Sequence, residues 1–132
     1  EAFEIKSDNM IVITADTIVS IDDKILGKPK DYEEAFNMLK MLSGKRHEVI
    51  TGVALKTVEK TRSFYEVTAV YFNDLQDKQI EYYLNTYKPY DKAGAYGIQE
   101  WIGAVAVGHI GGSYTNVMGL PTARLYKELI KM

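Results

Sequence analysis

The sequence contains no cysteine. Disulfides and thiolate metal sites are therefore excluded, and a reducing, cytoplasmic setting is favoured. No apolar run is long enough to cross a bilayer, and no secretory signal peptide is visible. The reading is a chain without a membrane partner. Charge of one sign is not in excess either: 16 Lys and Arg stand against 18 Asp and Glu, a formal net charge of -2. Such a chain has no global positive field with which to recruit a nucleic-acid polymer. Any phosphate it binds must be held by a few local cations. The two histidines, His47 and His109, are far apart and share no metal-ligand spacing. One is expected at the surface and one at a strand edge. Repeats, linkers and low-complexity tracts are absent as well. The chain begins Glu1-Ala2-Phe3 rather than at a methionine, so its natural beginning is expected to lie elsewhere.

What is present is an ordinary globular composition, 46% hydrophobic and 26% charged. The 132 residues read as a single domain, 1–132, able to bury a core without staples. Met10 to Ala15 is a nearly all-apolar, β-branched run and reads as a buried strand, with Asp16 at its end. Ile18, Val19 and Ile21 continue the apolar pattern to a turn at Asp22-Asp23. Asp31 reads as a helix N-cap with Glu34 three residues on. Ala35, Met38, Leu39 and Leu42 follow at helical spacing, and Ser43-Gly44 supplies the stop. His47–Leu55 and residues 62–72 read as strands. Asp77 is expected to cap a second helix burying Ile80, Tyr83 and Leu84, which Lys88-Pro89 ends. Ala104–Ile110 and Tyr114–Met118 read as paired strands around a Gly111-Gly112-Ser113 turn. A last helix, from Ala123, turns Leu125, Leu129 and Ile130 inward. The mixture reads as α/β, with α+β the alternative, around a mixed β-sheet flanked by helices.

The stretch Asp91-Lys92-Ala93-Gly94-Ala95-Tyr96-Gly97-Ile98-Gln99 fits no hydrophobic period. It combines an acid, a base, glycines and an amide. Glycine lets backbone approach a ligand closely, and Lys92 and Gln99 offer donors. It reads as a loop that holds a small polar or anionic molecule. Asp16, a carboxylate at a strand end, could hold Mg²⁺ or take a proton from water; equally it could cap a turn. Thr17 could orient a ligand or simply favour the strand. Lys28, in Gly27-Lys28-Pro29, could serve as a point charge for phosphate, although taken alone it reads as a solvated lysine. The spaced glycines of a P-loop are missing. Ser43 and Ser113 have no nucleophile context, and the ten tyrosines read as packing.

Taken in order, several segments carry a resemblance. They are Thr14-Ala15-Asp16-Thr17-Ile18-Val19, Leu26-Gly27-Lys28-Pro29, Ala35 to Gly44, His47-Glu48-Val49 with Thr51-Gly52-Val53, Val67-Thr68, Asp91 to Gln99, and Tyr114 to Pro121. The chain resembles the Maf family of nucleoside-triphosphate pyrophosphatases over nearly its whole length from about residue 10. That resemblance implies a nucleotide cleft in a Maf/ITPase-like sheet. It implies hydrolysis between the α and β phosphates with a divalent metal, Mg²⁺ or Mn²⁺, and it allows a homodimer. Asp16 would be the acid-base group and a metal ligand, and Lys28 would hold phosphate. Gln99 and Thr17 would select the base in the dTTP and UTP branch. The 7-methyl-GTP branch typically carries Glu where Gln99 stands. A non-catalytic, division-associated nucleotide binder is the remaining alternative, and Asp16 argues against it.

The chain departs from the family pattern in three places. Tyr87-Lys88-Pro89 replaces a common Gly-Glu-Pro, and Glu100 replaces a common Gly. The family's opening Ser-x-Ser-Pro-Arg-Arg loop does not occur in this sequence, so the chain is expected to lack an N-terminal part and to be catalytically poor by itself.

Overall fold

The computed structural model describes residues 10–132; residues 1–9 lie outside the described part. Among the described residues five strands form one sheet in the order β2-β1-β3-β4-β5. β1 is Val12–Ile21, β2 Lys24–Leu26, β3 Arg46–Lys56, β4 Thr61–Phe72 and β5 Val107–Gly111. Every pairing is antiparallel. Of the two classes read from the sequence, α+β therefore holds, and the expected mixed sheet is antiparallel throughout. Hairpins explain this: Asp22-Asp23, both at positive φ, turn β1 into β2, and a short loop joins β3 to β4. Such connections close antiparallel pairs without a crossover helix.

The helices are α1 Tyr32–Leu42, α2 Asp77–Tyr87, α3 Trp101–Ala106, α4 Tyr114–Met118 and α5 Thr122–Leu129. Asp31 caps α1 by accepting the Glu34 N–H at 2.8 Å, and Glu34 in turn accepts from Lys30 N–H. Helix α1 buries Ala35, Met38, Leu39 and Leu42. In α2 the cap is Gln76, not Asp77; Gln79 returns a bond to the Gln76 backbone. Asp77 instead meets Lys40 of α1 at 2.8 Å. The expected Ala104–Met118 hairpin is not formed. Residues 104–106 fold into α3, residues 107–110 form the expected strand but pair with β4, and Ser113 caps α4 by accepting the Asn116 N–H. Short apolar runs carry no clear choice between helix and strand, and a capping hydroxyl decided this one.

One sheet face carries two hydrophobic clusters. The larger packs Val19, Ile21, Val49, Val70 and Phe72 against α1, α2 and α3. The smaller joins Val53 and Leu55 to Leu125 and Leu129 of α5; Ile130, expected inward, is exposed. Between them runs the cross-strand row Thr17, Thr51 and Glu66. The start of β1 is less buried than its composition suggests, with Ile11 and Ile13 exposed.

Candidate active site

The gap between the two clusters is where the polar residues converge. Thr17 sits on the same face as Val19 and Val49, and Asp16 on the opposite one, as strand alternation requires. Asp16 is not at a strand end: it lies midway along the ten-residue β1. Its access comes from the sheet edge. β2 pairs only with Val19–Ile21, and among the described residues no strand covers the β1 edge at Asp16 and Thr17. The chain after β2 turns through Gly27 and Lys28 beside that edge.

The 91–99 loop closes the other side. Its centre is a single 3-10 turn, Ala93–Ala95. Gly94 donates its N–H to the Gly27 carbonyl at 3.1 Å, which ties this loop to the one carrying Lys28. Gly94 has φ +71, and a Cβ there would lie 2.8 Å from a Val19 methyl. A Cβ on Gly97 would lie 2.7 Å from Lys92 Cε. Gly94 is thus required by its left-handed backbone and its close approach to the sheet, while Gly97 leaves room for the lysine stem.

Two buried phenols hold the loop at adjacent residues. Tyr96 places its hydroxyl 2.6 Å from His47 Nε2 on the central strand β3. Tyr83 of α2 accepts the Gly97 N–H at 3.0 Å and donates to Glu100 Oε1. Burial pushes both phenols well above their ordinary range, so both stay protonated. His47 was expected at a surface or strand edge; it is 1% exposed. Burial lowers its pKa to about 4, which keeps the imidazole neutral. His109 is exposed on the edge strand β5. The anchoring tyrosines and His47 escaped the sequence reading because their partners are far away along the chain.

Asp16, Thr17, Lys28, Lys92 and Gln99 all line one cleft of about 250 Å³. Its floor is apolar, from Val19, Val49, Ile98 and Val117. Asp91 and Lys92 pair at 3.2 Å on the rim. The Lys92 ammonium, with a smaller contribution from Lys28, holds the Asp91 carboxyl below its ordinary range. A second, shallower groove shares Ala15, Asp16 and Lys28 with the cleft and runs on past Gly52 to Phe64. Among the described residues no group of three or more His, Asp or Glu side chains is placed to hold a metal ion. A cation there could take Asp16 as a carboxylate ligand, a donor set that suits Mg²⁺ shared with substrate phosphates and water. Among the described residues no helix is long and apolar enough to span a membrane.

The described residues thus form an antiparallel α+β sheet whose cleft sets Asp16, Lys28 and Lys92 beside an apolar floor. The chain belongs to the Maf-like protein family, whose model matches residues 1–132. It is 58% identical over 122 residues to the dTTP/UTP pyrophosphatase of Phocaeicola vulgatus, covering 92% of this chain and 63% of that protein. It is 57% identical to the dTTP/UTP pyrophosphatase of Flavobacterium johnsoniae and 53% identical to that of Flavobacterium psychrophilum, with the same coverage. The chain thus spans a little under two thirds of the length of these relatives.

Proposed function

We propose that the cleft is the substrate site of a nucleoside-triphosphate pyrophosphatase that cleaves dTTP and UTP to the monophosphate and pyrophosphate. The observation that carries this reading is the meeting of Asp16, Thr17, Lys28, Lys92 and Gln99 around one cleft in a chain whose relatives bear that name. The apolar floor suits a flat base, and Gln99 offers both a donor and an acceptor to a base edge. Lys28 and Lys92 suit the triphosphate as point charges. Asp16 and Lys28 lie where the cleft meets the second groove, which gives the phosphate chain a path across them.

The chemistry follows from that placement. A water oxygen bonds to the α-phosphorus, the bridging P–O bond to the β-phosphate breaks, and pyrophosphate departs. Asp16 orients the water and takes its proton. The lysines offset the charge that builds on the leaving group. A divalent cation, Mg²⁺ or Mn²⁺, fits beside Asp16 and supplies charge withdrawal from the phosphate oxygens when bound. No covalent intermediate is needed. The hydroxyls of Ser43 and Ser113 are engaged instead in accepting the Leu75 and Asn116 backbone N–H groups.

The test is pyrophosphate release with Mg²⁺ or Mn²⁺ from dTTP, UTP, CTP, GTP and 7-methyl-GTP. Release from dTTP and UTP above the rest is the expected result. Preference for 7-methyl-GTP would overturn the substrate assignment. Tight binding without release, also when the chain is extended to the full length of its relatives, would make the protein a nucleotide binder rather than an enzyme.

A further inference from the structure

Residues 97–100 form a turn with Gln99 at its third position. The Glu100 N–H donates to the Gly97 carbonyl at 3.0 Å and closes the turn along the backbone. A second link closes it through side chains. The Gly97 N–H lies 3.0 Å from the Tyr83 hydroxyl oxygen, and that hydroxyl meets Glu100 Oε1. The sense of this relay is fixed by its members. A backbone N–H only donates, a carboxylate only accepts, and a phenol has one hydrogen. Tyr83 stays protonated, because burial first and the Glu100 carboxylate next disfavour its phenolate. Tyr83 therefore accepts from Gly97 and donates to Glu100.

The relay is built on rigid ground. Tyr83 is fully buried on α2, and its ring lies beside Trp101 with centroids 6.5 Å apart. Glu100 precedes α3, yet its side chain makes no cap bond to that helix. Among the described residues it enters no ion pair either. Its carboxylate is turned back over the turn instead. There it bounds the space at Gly97, where a Cβ would lie 2.7 Å from Lys92 Cε and 3.1 Å from Glu100 Oε1. Lys92 thus lies against this clasp and Gln99 within it, and both line the cleft.

We propose that Glu100 is a positioning residue for the cleft: by taking the Tyr83 hydrogen it fixes Tyr83 as the acceptor for the Gly97 N–H, and so holds Gln99 and the Lys92 stem where a nucleotide meets them. The inference rests on the reading of the cleft as a nucleotide site. A hydrogen bond to a carboxylate is stronger than one between neutral groups, and it polarises the hydroxyl into a better acceptor. Without the carboxylate the buried phenol hydrogen loses its partner, and the turn is left with its backbone bond alone.

Two readouts test this in the unaltered protein, Glu100→Ala, Glu100→Gln, Tyr83→Phe and the Tyr83→Phe/Glu100→Ala pair. The first is amide hydrogen exchange at Gly97 against the amides of β3. Glu100→Ala should speed exchange at Gly97 by about tenfold and leave β3 unchanged. A role in overall stability alone would speed both together. The second is equilibrium binding of the α,β-methylene analogue of UTP, which is not cleaved. Glu100→Ala should weaken binding by about tenfold. Glu100→Gln, whose carboxamide oxygen still accepts, should restore most of the affinity. Once Tyr83 is Phe, Glu100→Ala should add nothing. Unchanged exchange at Gly97, equal acceleration in β3, or undiminished affinity in Glu100→Ala overturns the inference. If exchange responds as expected but the protein, also when extended to the full length of its relatives, binds no analogue, the nucleotide reading falls and the positioning role with it, while the clasp itself stands. Should Tyr83→Phe fail to fold, Glu100→Ala set against Glu100→Gln carries the same decision.

Discussion

The imidazole of His47 and the hydroxyl of Tyr96 lie 2.6 Å apart in the interior, joining the central strand to the loop that carries Lys92 and Gln99. His47 Nδ1 has no partner among the described residues, so this bond is the ring's one polar contact there. Tyr96→Phe would leave the whole imidazole buried and unpaired. That should cost about 1–3 kcal/mol of stability and lower nucleotide affinity as the loop loosens. Denaturant unfolding together with nucleotide titration checks it; full affinity with reduced stability would show that the loop is held by other contacts.

The same histidine sets a pH dependence. Its pKa falls from 6.5 to about 4 on folding because burial disfavours the charged ring. The unfolded chain then binds the extra proton first. Stability is unaffected by this group above about pH 6.5 and is lost as pH falls toward 4, by up to about 3 kcal/mol. His47→Gln should remove that part of the acid-side slope. Unfolding free energies at pH 7 and pH 5 for both proteins measure it, and parallel slopes would exclude His47 as the source.

Gly97 is where the Lys92 stem crosses the backbone. Gly97→Ala places a methyl 2.7 Å from Lys92 Cε and must push the ammonium off its position. Triphosphate affinity should drop several-fold with little change in melting temperature, since the stem is flexible. Gly94→Ala behaves differently. The left-handed backbone and the Val19 contact should cost stability of about 1–3 kcal/mol. Melting curves and nucleotide titrations of the two variants separate local from global effects; matching profiles would mean that Lys92 does not lie over Gly97 in solution.

Asp16 is exposed, and among the described residues it forms no ion pair. Asp16→Asn should leave the fold unchanged and reduce turnover by a factor of about 10² or more, while nucleotide binding without metal persists. Steady-state kinetics beside titration reads this out. Wild-type turnover would remove Asp16 from the chemistry, and loss of metal-free binding would give it a role in holding the nucleotide.

Much of this was legible locally. The α1 cap, the buried faces of α1 and α2, the Asp22-Asp23 turn and the strands at 47–55 and 62–72 follow from periodicity and turn chemistry, which act within a few residues. The Asp91 to Gln99 loop stood out because it has no period at all. The stretch from Ala104 to Met118 misled in part: residues 107–110 are the expected strand, but residues 104–106 and Tyr114–Met118 are helical, because such short apolar runs satisfy either. Ser113 settles that choice through its local cap on Asn116, and both residues also bond to strands elsewhere in the fold, at Thr68 and Val49.

By itself, then, the sequence determined most of the elements, the candidate residues and the family likeness, since each depends on neighbours in the chain. Only the tertiary structure decided that Asp16 lies midway along β1, at an edge that no strand covers among the described residues, and that Lys28 is brought toward Lys92 through the Gly94–Gly27 bond. It alone decided that Tyr96 hangs on a buried histidine and that the Thr17 and Thr51 hydroxyls meet across β1 and β3. Those relations join residues 34 to 67 positions apart. Such contacts form when packing closes the sheet against its helices, and no local pattern encodes them.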